Sequence, residues 1–135
     1  MKLKETERLL EVEERIKGEI KRQILNIMKE IEVEFEKIRN EEKINIDLIY
    51  DKYDDIMFEL KIEGILEKWR LTKQSDKKII WQRVRFLLEH SIYSDKYRIL
   101  TKKMIFEERD REELKIIINY MKDAYAILRF ILSRL

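Results

Sequence analysis

The chain has no cysteine, no proline, a single histidine and only two glycines among its 135 residues. Without cysteine there is no disulfide, no thiol nucleophile and no thiolate metal site, and one histidine excludes a multi-histidine metal centre within one chain. The scarcity of proline and glycine, with only two alanines, removes the punctuation that strands joined by turns would need. Long apolar runs are missing too. Lys115, Lys122, Asp123, Arg129 and Arg134 interrupt the most hydrophobic segment, so no stretch reaches the ~18 apolar residues of a membrane span. The N-terminus alternates charges and carries no signal-peptide core. These absences predict a cytoplasmic protein with no membrane partner, no metal site and no cofactor.

What is present is charge and aliphatic bulk: 43% of residues are charged and 44% hydrophobic. Isoleucine, lysine and glutamate dominate, a nearly all-helical composition that also fits a thermophile. A chain of this length forms one helical domain, 1–135, with a real core. The net charge of +2 is unevenly divided. Residues 1–63 carry 13 basic and 18 acidic groups, residues 64–135 carry 17 and 10, and the whole basic excess falls within 64–103.

From Lys4 to Arg39, Ile16, Ile20, Ile24, Ile27, Ile31, Phe35 and Ile38 recur at gaps of three and four, one long amphipathic helix. Some 36 residues make a rod of ~54 Å, while a compact domain of this size has a radius of gyration of ~14 Å. The helix should overhang its body, and residues 1–44 are a candidate protruding coiled-coil or dimerisation helix, whose stripe needs the next helix folded back as a hairpin, the same helix of a second copy, or a partner protein. Asn45 or Asp47 could cap a second helix, 47–69, on which Asp47, Asp51, Asp54 and Asp55 read as a solvated acidic face. Ser75 is the expected N-cap of a third helix through Ile79 to Tyr93, and Ser94 restarts the chain. Asp110 with Glu113 resembles a capping box for the last helix. That helix is apolar over an arc of about 200°, far beyond an ordinary surface helix, so it belongs at the centre of a bundle or in a subunit interface. The expected architecture is all-α: a mostly antiparallel bundle of four or five helices with an overhanging N-terminal helix, self-associating as a homodimer or larger homo-oligomer.

The stretch Ile79 to Tyr93 carries the most chemistry. On a helix, Ile80, Val84, Leu87, Leu88 and Ser91 share the core face, and Ile79, Gln82, Arg83, Phe86 and His90 form a second stripe on the far side. Around it lie Lys68, Arg70, Lys73, Lys77, Lys78, Arg83, Arg85, Arg98, Lys102 and Lys103, interleaved with Trp69, Trp81, Phe86, Tyr93 and Tyr97. Cations for phosphates and flat rings for unstacked bases are the ingredients of RNA or DNA binding. The plainer reading puts both tryptophans in the core and leaves the cations to solvate a helix face. Segregated sign favours binding, because a purely solvating surface has no reason to separate charges. The composition therefore favours a non-enzymatic interaction protein touching nucleic acid through residues 68–103.

Arg85 with His90 reads R-x4-H and Arg83 with His90 reads R-x6-H, and this pattern resembles the R-x4-6-H motif of HEPN domains, all-helical modules of about this size. The resemblance implies a metal-independent endoribonuclease of the toxin or defence type, with a composite site across a homodimer. In it His90 would shuttle a proton and Arg83 or Arg85 would stabilise the charged phosphate. Helical geometry favours Arg83, since Arg85 lies about 140° from His90 and is placed to pair with Glu89 one turn on. The sequence departs from the family pattern in placing apolar Phe86 after Arg85. A structural assembly or virion subunit fits the same helical outline.

Overall fold

A computed structural model describes residues 2–49 and 74–135, with side chains described from residue 5 to 49 and from 78 to 135. Among these residues the protein is all-α: α1 (Lys2–Asn40), α2 (Gln74–Glu89), α3 (Asp95–Lys102) and α4 (Glu108–Arg134), with a 3₁₀ turn at Ile46–Leu48. No described helix is long and apolar enough to cross a membrane.

The last helix is the hub, packing against α1, α2 and α3. Leu114, Ile117, Ile118, Met121, Ala124, Ile127, Leu128 and Ile131 are all buried on it, so most of its wide apolar arc is covered within the chain, with Ile116 left 54% exposed. It runs antiparallel to α1. Near one end the Tyr125 hydroxyl donates to Glu32 at 2.6 Å, and near the other the Arg111 Nε–H donates to the Ile44 carbonyl at 3.3 Å.

The predicted stripe of α1 divides in two. Ile24, Ile31 and Ile38 are buried with Met28, and Ile20, Ile27 and Phe35 are partly covered. Every residue from 5 to 19, Ile16 included, is exposed. The chain leaves α1 through a turn pinned to the body by Lys43, whose ammonium donates to the Thr101 carbonyl at 2.7 Å. Asn45 follows with φ 48°, a left-handed conformation asparagine tolerates better than most side chains. It precedes the 3₁₀ turn without a side-chain cap. Asp47 and Leu48 lie in that turn and are exposed, where the sequence predicts the start of an α-helix; residues 50–69 of the expected helix, with Asp51, Asp54 and Asp55, lie outside the described residues.

Two expected caps are corrected, and the restart expected at Ser94 is a helix start. α2 already includes Gln74 and Ser75, so Ser75 is not its N-cap. Ser94 does cap α3, accepting from the Tyr97 N–H at 3.4 Å. The capping box of α4 is Glu107 with Asp110, three residues earlier than expected. Asp110 accepts from the Glu107 N–H at 3.0 Å and from the Lys103 ammonium at 2.7 Å. That ammonium, with the backbone bond second, holds the Asp110 carboxyl below its usual range.

Candidate nucleic-acid interface

The face that the apolar spacing assigns to the core is buried as expected, Ile80, Val84, Leu87 and Leu88 on α2 and Ser91 in the turn after it, because the helix ends at Glu89 and does not continue to Tyr93. The Ser91 hydroxyl donates to the Leu87 carbonyl at 2.6 Å, which makes its burial affordable. With that face fixed, the 100° step per residue distributes the remaining side chains over two opposite flanks.

On the flank toward α1, Lys78, Trp81 and Arg85 follow one another at helical spacing. They line an open groove of about 520 Å³ between the two helices. Its floor is Val84 and Leu88 with Ile27 of α1, and Tyr93 closes one end. Trp81 is 39% exposed, so the reading that places it wholly in the core is wrong for this tryptophan; Trp69 lies outside the described residues. Arg85 pairs with Glu89 at 3.5 Å, as its spacing suggested. Both side chains are well exposed, and such a pair contributes only ~0.3–0.5 kcal/mol, a weak tether that a phosphate can outcompete.

On the opposite flank, Arg83 and His90 meet on one aromatic ring. The Arg83 guanidinium carbon stands 5.4 Å from the centre of the Phe86 ring. The His90 imidazole stacks on that ring at 4.1 Å, and Tyr120 of α4 meets it edge-on at 6.1 Å. His90 is exposed, with Nδ1 2.9 Å from the Phe86 carbonyl oxygen. A neutral imidazole there donates through Nδ1–H, leaving the Nε2 lone pair to accept a proton; this tautomer follows from the partner. Arg85 does not join this group.

The other predicted cations separate. Arg98 is held by Asp95 one turn back, and Lys103 by buried Asp110. Lys102 is exposed. Lys68, Arg70 and Lys73 lie outside the described residues, as does the side chain of Lys77. Tyr97, expected among the interface rings, is instead a core residue, 3% exposed.

Sequence reasoning missed the α1 side of this region. Tyr93 and Tyr97, four apart, donate to Glu30 and Glu34, also four apart, the second bond measuring 2.7 Å. The matching intervals are the signal that could have revealed the pairing. Burial first, and the neighbouring carboxylate second, push the Tyr93 phenol up to about 12 and raise that of Tyr97 as well. The folded state thus keeps protons that unfolded tyrosines release from about pH 10. This stabilisation is complete below pH 10 and is lost as the pH climbs toward 12. Urea unfolding at pH 9 and 11.5 should show that loss, and Tyr93→Phe should shrink it; a stability independent of pH over this window would contradict the pairing.

No group of three or more His, Cys, Asp or Glu stands together as a metal site among the described residues. No protein-family model, curated protein or solved structure matches the chain.

Proposed function

We propose that the chain is a helical interaction module that binds single-stranded nucleic acid in the groove between α1 and α2. One observation carries this reading: Lys78, Arg85, Trp81 and Tyr93 border the same open groove. Two cations at helical spacing can follow a phosphate backbone while the two rings offer faces to unstacked bases. Stacking of this kind contributes ~1–3 kcal/mol per base and is nearly indifferent to sequence. Single strands fit better than duplex, whose bases are already stacked and present nothing for Trp81 to hold. The test uses the emission of Trp81 itself, in a Trp69→Phe variant that leaves it the sole tryptophan. Titration with an oligouridylate should quench it saturably, and added salt should restore it. Emission unchanged at any RNA concentration would contradict the proposal.

A second reading, HEPN-like ribonuclease activity, is supported by the exposed His90 sharing the Phe86 ring with Arg83. His90 would take a proton from the ribose hydroxyl or return one to the leaving oxygen, and Arg83 would stabilise charge on the phosphate. Cleavage of single-stranded RNA in EDTA should then be abolished by His90→Ala with the helical signal and RNA affinity retained. Absence of cleavage by the unaltered protein, or cleavage that survives His90→Ala, would contradict it.

A further inference from the structure

The N-terminal part of α1 continues the apolar periodicity of the core on a face that no other described residue covers. Leu9, Val12 and Ile16 recur at gaps of three and four and are 67%, 47% and 54% exposed. On the helical wheel they form one stripe that meets the body at Ile20 and Ile27, both partly buried. An amphipathic helix does not hold such a stripe in water without cost, since each aliphatic side chain left uncovered forfeits the gain from burial.

We infer that this stripe is covered by the same stripe of a second copy of the chain, the two α1 helices running antiparallel. In this register Leu9 faces Ile20 of the partner subunit, and Val12 faces Ile16 of the partner subunit. The flanking charges agree with it. Arg8 lies on the same flank as Glu19, and Glu13 on the same flank as Lys17. Antiparallel helices bring like flanks together. Arg8 therefore meets Glu19 of the partner subunit, and Glu13 meets Lys17 of the partner subunit, each pair occurring twice by symmetry. Glu19 is already oriented on its own helix by Arg22 at 2.5 Å. From Lys2 to Arg22 there are seven bases and six acids, so two such segments do not repel.

Sterics select the same direction. In a parallel pair the partner's helix would continue along the side of α1 where Ile24, Ile31 and Ile38 are already buried in the chain's own core. In the antiparallel pair each partner's helix runs off beyond the other's N-terminus, and the two bodies sit at opposite ends of a shared rod. The grooves between α1 and α2 are then carried on both bodies, which lets one assembly engage two stretches of a strand.

The absence of cysteine makes the register directly testable. Sedimentation equilibrium of the full chain should return twice its 16.8 kDa mass at micromolar concentration. Ile16→Glu, at an exposed position, should leave the helical signal intact and weaken the dimer roughly 100-fold, because each interface contains the altered residue twice. Val12→Cys and Ile16→Cys proteins should form a disulfide dimer when mixed and little when oxidised separately, since opposed positions bring Cα atoms within the roughly 7 Å a bridge requires. A monomer throughout the concentration range, dimerisation untouched by Ile16→Glu, or efficient self-crosslinking of Val12→Cys alone would each overturn the inference.

Discussion

Reversing Lys78 and Arg85 to glutamate together should weaken binding of single-stranded RNA roughly 100-fold at low salt. Two unit charges ~4 Å apart in a water-like medium interact by about 1 kcal/mol, and reversal changes the sign as well as removing the attraction. Two such changes amount to a few kcal/mol, of which every 1.4 is a factor of ten. Both side chains border open solvent rather than the core, so thermal unfolding of the double variant should match the parent. Trp81→Ala should cost a comparable factor through lost stacking, and Trp81→Phe should recover most of it. Filter binding across several sequences distinguishes the two effects from base readout, because phosphate and stacking contacts weaken all sequences alike. Affinity unchanged in the double variant would mean that these cations only solvate α2.

The largest effect on stability is expected in the C-terminal third of α4, where its apolar face is buried against the rest of the core. Leu128 is fully buried, and Leu128→Ala should destabilise the fold by about 3 kcal/mol through lost transfer energy and the cavity left behind. For a chain of this size that lowers the melting temperature by roughly 10 °C. Met104, on the loop before α4, is 92% exposed, and Met104→Ala should stay within about 0.5 kcal/mol of the parent. Calorimetry of the two variants compares them directly. Equal, small effects would contradict the role of α4 as the hub on which α1, α2 and α3 pack.

Much of this arrangement was legible before any coordinates. Apolar spacing identified the buried face of α2 and the breadth of the apolar arc on α4, leaving open whether that arc faces the bundle or a subunit interface, and the length of α1 against the size of the body gave its overhang. The misses share a physical cause: the sequence offers degenerate local choices that tertiary contacts resolve. Asp110 with Glu113 and Glu107 with Asp110 have the same spacing, and the pairing of buried Asp110 with the half-exposed Lys103 selects the second. Tyr93 and Tyr97 look alike in a list of aromatic residues, yet only Tyr97 faces inward, since the Ser94 cap fixes the start of α3 between them. Arg83 and Arg85, by contrast, were separated correctly by the helical step, which sends one to the Phe86 ring and the other to the groove. On the α1 side, Ile27 of the groove depends on how the two helices approach, and only the matching intervals of Glu30 and Glu34 with Tyr93 and Tyr97 signalled that approach.

The most direct test of the nucleic-acid interface is the salt dependence of single-strand affinity. For single strands the slope of log affinity against log salt is about −0.7 per phosphate neutralised. Contacts from Lys78 and Arg85 predict a slope of about −1.4, and Lys78→Glu with Arg85→Glu should bring it close to zero. A slope near zero, or one that the double substitution leaves unchanged, would contradict the account.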